Sequence, residues 1–343
     1  MTEPQVAAPR QILVVGSSRS GTTMMGRVLG RHPDVFTFEE LHFFEQLWQP
    51  ESPPPPIQRS DAVALAARLI AIQREGYHHH AGGTGFETEA ARLVDTITAP
   101  LDAPSVYGAF LAAEAGEHGA TVACDQTPRN LYYLGEILDL FDTARAVIMI
   151  RDPRDVLLSQ KNRWKRRQFS GVGRTTRRNA VRTWAGYNPA TISLLWRSGA
   201  RVAERWRDDP RVVVVRFEDL LADPEAQTRR ICAGLGLEFD RGMLDVPRVG
   251  SSHQPDQPEV TGIDRSAAGR WKSGLTPTEA WICQRIDRDA MAKEGYEAEP
   301  LRPTALGLAG AATTLATKSV LAVALNAGRA RNLVEATRRR IGR

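Results

Sequence analysis

Residues 12–29 read ILVVGSSRSGTTMMGRVL, and their order decides the fold. Ile12–Gly16 is a short apolar run enriched in β-branched residues, the pattern of a strand buried on both faces. A glycine-bounded loop, SSRSGTT, follows, and MMGRVLGRH from Met24 reads as a helix. Gly16 and Gly21 stand at the spacing of GxxxxGK[ST]. There they let the backbone turn sharply and aim N–H groups at an anion beside a helix N-terminus. Thr22 takes the place of the lysine that grips a nucleoside triphosphate, and a cation stands inside the loop as Arg19. The loop therefore suits a phosphate-like group better than ATP or GTP hydrolysis.

Ala146–Ile150 (AVIMI) is a second buried strand, running into Arg151-Asp152-Pro153-Arg154-Asp155-Val156-Leu157-Leu158-Ser159. Open α/β sheets bind ligands beyond the carboxyl ends of their strands. Arg151 stands at such an end. Ser159 lies about two turns into a helix expected from near Asp155, a candidate cap. An arginine and a hydroxyl so placed suit a second phosphate group. Val212–Phe217 is a third strand, and Pro224–Gly234 a helix stopped by glycine. Helices are also expected over Asp61–Arg74 and Leu131–Leu140, with loops at the prolines 53–56 and over 76–85. Strands alternating with helices predict an α/β protein: a P-loop-like three-layer sandwich, its central, mainly parallel sheet flanked by helices.

The 343 residues are 42% hydrophobic and 25% charged, which excludes collagen-like, fibrous and largely disordered chains. Cys124, Cys232 and Cys283 are far apart, odd in number and without a CxxC pair, so a reducing compartment is expected rather than a disulfide framework. The first residues lack the apolar core of a secretory signal, and no run of strongly apolar residues marks a spanning helix. The expected location is the cytoplasm, with peripheral contact at the inner face of the membrane as an option. Ala- and Arg-rich usage suggests a bacterial chain.

The formal charge of +5 is unevenly spread. Residues 151–182 hold eleven Lys and Arg against two Asp, and residues 303–343 hold seven against one Glu. The remainder carries a net charge of −10, which argues against a broad nucleic-acid surface. A composition break near Pro300–Pro303 sets a domain over 1–302 apart from an Ala/Leu-rich, Arg-ended helical tail over 303–343. That tail is read as packing on the domain or on a second subunit, or as an amphipathic helix lying on an anionic membrane.

Together the two phosphate-site segments resemble the sulfotransferase superfamily, which uses 3'-phosphoadenosine 5'-phosphosulfate (PAPS). RSGTT after a strand is similar to the family's 5'-phosphosulfate loop, and R-x-P-x-D-x-x-x-S to its 3'-phosphate motif. VVVVRFEDLLADPEAQTRRICAGLGLEFD (212–240) and Gly269-Arg270-Trp271-Lys272 resemble two later family elements. The resemblance spans about residues 10–300 and points to the carbohydrate, protein-tyrosine and bacterial branches. It implies sulfuryl transfer from PAPS to an acceptor hydroxyl on a glycan, glycolipid, natural product or peptide tyrosine, and the bacterial composition favours the first three. Arg19 then touches the phosphosulfate. Ser20, Gly21, Thr22 and Thr23 bind the 5'-phosphate, and Arg151 and Ser159 the 3'-phosphate. Arg270 assists, as does Arg163, one turn beyond Ser159 on the same helix face. No metal is expected.

Such a transfer also needs a base for the acceptor proton. His32-Pro-Asp-Val-Phe-Thr-Phe-Glu39-Glu40-Leu41-His42 resembles the stretch that carries a glutamate base in those branches. Glu40 matches that glutamate best, with Glu39 next and His42 as rival. Gln126 stands where those branches often have a lysine, with Arg129 as a candidate substitute. Segments 41–120 and 161–190 are expected to shape the acceptor pocket. Trp184 and Tyr187 are expected in the core or beside the nucleotide, and His78–His80 in a solvated or acceptor-lining loop. The alternatives are a P-loop nucleotide kinase or NTPase, and a non-catalytic nucleotide-binding protein of the same fold.

Overall fold

The computed structural model describes residues 10–76, 85–98, 100–168, 181, 183–248 and 257–326. The first strand, β1 (Arg10–Gly16), is buried at every position after the first. Its pleat sends alternate side chains to opposite faces. Ile12 and Val14 meet Met25, Val28 and Leu29 of α1 (Thr22–Leu29), while Leu13 and Val15 join a larger apolar layer with Phe38, Tyr107 and Phe110. One sheet thus separates two apolar layers, the three-layer arrangement expected from the sequence.

The sheet adds β2 (Val35–Phe38), β3 (Val122–Asp125), β4 (Arg145–Ile150) and β5 (Val212–Arg216), in the order β2-β3-β1-β4-β5 with every pair parallel. One layer takes α2 (Arg59–Glu75), α3 (Glu87–Asp95), α4 (Ala103–Glu117), α5 (Leu134–Leu140) and, after α6 (Pro153–Lys161), α7 (Pro189–Trp206). The other takes α1, α8 (Phe217–Ala222) and α9 (Pro224–Leu235). From β1 the chain first builds toward β2 and β3, then crosses to β4 and β5. The crevice between the carboxyl ends of β1 and β4 is therefore a topological switch point, where such sheets bind ligands. Gly16 pairs with Met149, so the loop after β1 and Arg151 leave the sheet side by side.

Several boundaries differ from the sequence reading. β2 and β3 were not expected: each has four residues, and pairing with β1 and with each other defines them, not a long apolar run. The cap of α6 is Asp152, whose carboxylate accepts from the Arg154 N–H at 2.8 Å, so the helix starts at Pro153 and Asp155 is free for other work. It ends at Lys161, and Arg163 opens a 3-10 turn over Arg163–Gln168, so Arg163 does not share a helix face with Ser159. Phe217 belongs to α8 rather than to β5. The stretch after Thr127 is a 3-10 turn, Pro128–Tyr133, before α5.

The remainder is a small antiparallel pair, β6 (Pro247–Arg248) and β7 (Gln257–Thr261), then α10 (Trp271–Gly274), α11 (Pro277–Lys293) and α12 (Ala305–Asn326). All three cysteines are buried and unbridged. His78–His80 and most of the basic stretch 169–182 lie outside the described residues, as does the tail beyond 326.

Candidate active site

The loop after β1 depends on two glycines. A Cβ on Gly16 would stand 2.4 Å from the Met149 carbonyl oxygen, and one on Gly21, at φ 98°, would stand 2.4 Å from the Phe217 ring. Between them Arg19 holds φ 77°, a left-handed conformation that costs an L-residue about 1–2 kcal/mol. In that pose its Nε donates to Ser159 Oγ at 3.0 Å, joining residues 140 positions apart. Ser20 is fully buried and its Oγ has no hydrogen-bond partner. The helix α1 starts without a side-chain cap or an acidic residue in its first turn, so its N-terminal partial charge is left to the loop.

Arg151 closes the other side of the crevice. It donates through Nη2 to the Ala267 carbonyl at 2.7 Å and through Nη1 to the Arg19 carbonyl at 3.4 Å. Its guanidinium lies 4.4 Å from the Phe217 ring centre, and Trp196 Nε1 donates to its carbonyl at 2.8 Å. Its Nε is buried with no hydrogen-bond partner. Burial weakens the hold of Arg151 on its proton; Asp155 and Glu218 oppose this, while nearby Arg270 adds to it. Arg270 itself bonds Asp264 Oδ2 at 3.0 Å and the Ser266 carbonyl at 2.7 Å.

Asp155 ties the late Gly269–Lys272 element to this crevice. Its carboxylate accepts from the Gly269 N–H at 2.6 Å and the Trp271 N–H at 2.9 Å, and Arg154 packs 4.1 Å from the Trp271 ring centre. Burial raises the Asp155 carboxyl while Arg151 lowers it.

The candidate bases lie at the same carboxyl edge, after β2. Glu39 is exposed, and its N–H donates to Gln73 Oε1 at 3.0 Å. Glu40 Oε2 lies 3.4 Å from His42 Nε2, and His42 Nδ1 lies 3.6 Å from Glu45 Oε2. Glu45 Oε1 in turn accepts from Arg129 Nη1 at 2.6 Å. This chain of groups is held from β3: the His42 N–H donates to Thr127 Oγ1 at 3.4 Å. Thr127 Oγ1 and N–H both donate to Asp125, at 2.6 and 2.8 Å. Tyr107 and Asn130 complete the set of donors to Asp125. Gln126 turns toward α1, where a Cβ on Gly26 would stand 2.7 Å from its Oε1, an oxygen without a hydrogen-bond partner.

A cavity of about 380 Å³ adjoins the loop, lined by Gly16–Ser18, Arg129, Tyr132, Arg163, Tyr187 and Trp196 among others. Its walls draw on the expected segment 161–190 but, among the described residues, on none of 41–120. Tyr187 is at this wall, whereas Trp184 is 46% exposed and not in the core.

The family model described as Sulfotransferase family matches residues 9–241. This chain belongs to the sulfotransferase family. It is 24% identical over 307 residues to nodulation protein NoeE of Sinorhizobium fredii, covering 84% of this chain and 66% of that relative. It is 27% identical over 259 residues to carbohydrate sulfotransferase 5 of Mus musculus, covering 66% and 64%. The chain thus spans just under two thirds of these relatives' length. The fold is similar to the sulfotransferase domain from the curacin biosynthetic pathway, with a TM-score of 0.54 and 18% identity over 85% of this chain and 99% of that one.

In this sulfotransferase the sequence reading did not single out Glu45, Thr127, Trp196 or Ala267. Glu45 and Trp196 act through long-range contacts that no local pattern encodes. The Asp125-Gln-Thr-Pro turn carried a usable signal, since an Asp side chain commonly accepts from the backbone N–H two residues on, as Asp125 does from Thr127.

Proposed function

We propose that this sulfotransferase moves the sulfuryl group of PAPS to an acceptor hydroxyl, with Glu40 as the general base. The observation that carries the reading is the meeting of Arg19 with Ser159 beside the buried Arg151. Ser20 Oγ and Arg151 Nε are buried polar atoms of this crevice without partners, and such atoms are rare in a finished structure. Cations gathered around them at a helix N-terminus fit a ligand bearing two phosphate-like groups.

PAPS supplies an activated sulfuryl group and leaves as adenosine 3',5'-bisphosphate (PAP). Ser20, Gly21, Thr22 and Thr23 suit its 5'-phosphate. Arg151 and Ser159 suit its 3'-phosphate, with Arg270 adding positive charge nearby. Arg19 gives up Ser159 and turns its guanidinium to the phosphosulfate. At Glu40 the hydroxyl proton is taken up as the acceptor oxygen bonds to sulfur and the bond from sulfur to the phosphate oxygen breaks. His42, Glu45 and Arg129 orient the Glu40 carboxylate. With Gln126 in the second cation position, Arg19 carries the transition-state charge. The acceptor is a hydroxyl on a glycan, glycolipid or natural product, and the name of the murine carbohydrate sulfotransferase supports the glycan. Three buried, unbridged cysteines support a reducing, cytoplasmic setting.

Calorimetric titration with PAP tests the nucleotide half. Arg151→Ala is expected to weaken PAP binding about 10- to 100-fold, the loss of a charge-assisted contact, and Ser159→Ala by less. PAP binding that is unchanged in both variants contradicts the assignment.

A further inference from the structure

α12 is apolar almost all round: among its charged residue types it has Lys318 alone. A helix with that pattern is normally buried. Here no described side chain between 305 and 318 is buried; Gly307, Ala311 and Lys318 are partly covered and the rest stand open. The helix leans on the body by one edge, where a Cβ on Gly307 would stand 2.4 Å from Thr278 Oγ1. Lys318 Nζ lies 4.4 Å from the Trp184 ring centre and 5.3 Å from that of Tyr187, and Tyr187 donates to Glu279 at 2.7 Å. Glu279 also binds Lys161 at 2.8 Å. These contacts join α12 to the segment 161–187.

Among the described residues, the large apolar side chains that stand exposed are Trp164, Val181, Trp184, Leu306, Leu308 and Leu315. Every one lies in these two joined segments. In the sequence the first of these segments opens with Lys161, Arg163, Lys165, Arg166 and Arg167, and six arginines against one Glu follow α12. Apolar side chains that protrude among Lys and Arg are the composition of a surface that sits in the boundary layer of an anionic bilayer. No helix among the described residues is long and apolar enough to cross a membrane, so the surface would lie on it. A second copy of this chain is a poorer occupant, because face-to-face pairing sets basic run against basic run. Tyr187 belongs both to this patch and to the wall of the cavity beside Gly16–Ser18.

We infer that α12 and the described residues 161–168, 181 and 183–187 form one surface that docks on an anionic lipid bilayer and sets the mouth of the acceptor cavity at the lipid interface. The inference rests on the proposed function only for the role of that cavity. It is tested by flotation of the full chain with vesicles of phosphatidylcholine alone and of an equimolar mixture with phosphatidylglycerol. Binding is expected to the mixed vesicles, falling as salt is raised. Leu306→Asp with Leu308→Asp should weaken it about tenfold or more per leucine, and Lys318→Glu should weaken it further. PAP affinity and circular dichroism should stay those of the parent chain, which separates failure of the patch from failure of the nucleotide site or of folding. Equal binding to both vesicle types, or none to either, overturns the inference. So does concentration-dependent dimerisation that the double variant abolishes, since it gives the patch to a second copy.

Discussion

Gly21 shows how tightly one position is specified. Its φ of 98° excludes a side chain on conformational grounds, and the Phe217 ring excludes one on steric grounds. Gly21→Ala is therefore expected to destabilise the fold by about 1–3 kcal/mol, read as a shift of the urea midpoint. Loss of stability below that range would show that Phe217 can move aside. Glu40 is specified differently, by a chain of neighbours in place of a dense pack. Glu40→Gln should cut turnover on the order of 10²- to 10⁴-fold while PAP affinity holds. His42→Ala should lower kcat with little change in the apparent KM for PAPS, because His42 orients the base and follows β2, whereas Ser159 follows β4 on the other side of β1. A rise in KM without a fall in kcat would move His42 into the nucleotide site.

At the scale of elements, the sequence exposed what local chemistry encodes. β1, β4 and β5 are apolar runs, and their following loops carry the charges, so both phosphate motifs could be placed at strand ends. β3 and β2 are four residues long and exist because β1 offers its edge to β3 and β3 offers its own to β2, so they were not visible. For the same reason Glu40, His42 and Arg129 stood only as separate candidates and Glu45, which joins them, was not visible: the contact of Glu45 with Arg129 spans 84 positions. Asp155 looked like a helix cap, yet its neighbour Asp152 caps α6 and Asp155 reaches across to Gly269 and Trp271.

One interface between elements also carries a pH signature. Asp287 of α11 is fully buried beside Cys283, Ser193 and Arg197. Burial pushes its carboxyl up to about 8, against the pull of those three groups. The unfolded chain ionises such a group near pH 4. The contribution of Asp287 is therefore full below that value and is lost as pH rises toward 8, with a slope of at most about 1.4 kcal/mol per pH unit. Asp287→Asn should flatten the fall in unfolding free energy between pH 5 and 7.5. An identical slope in parent and variant would assign the titration elsewhere.

Across the whole molecule, the modest total charge hides a division of labour. An acidic body supports a crevice where Arg19, Arg151 and Arg270 converge, and along the sequence two basic regions offset it, one beginning at the second phosphate motif and the other ending the chain. The sheet order puts both motifs at a single switch point, so the fold and the charge converge on the same crevice. In the proposed function this crevice holds PAPS for transfer of its sulfuryl group. Incubation with PAPS labelled in its sulfate, in an extract of hydroxyl-bearing metabolites, measures that transfer directly. Label is expected in a product other than free sulfate, with release of PAP in equal amount and loss of both with Arg19→Ala and Glu40→Gln. Consumption of ATP with PAPS left intact would contradict it.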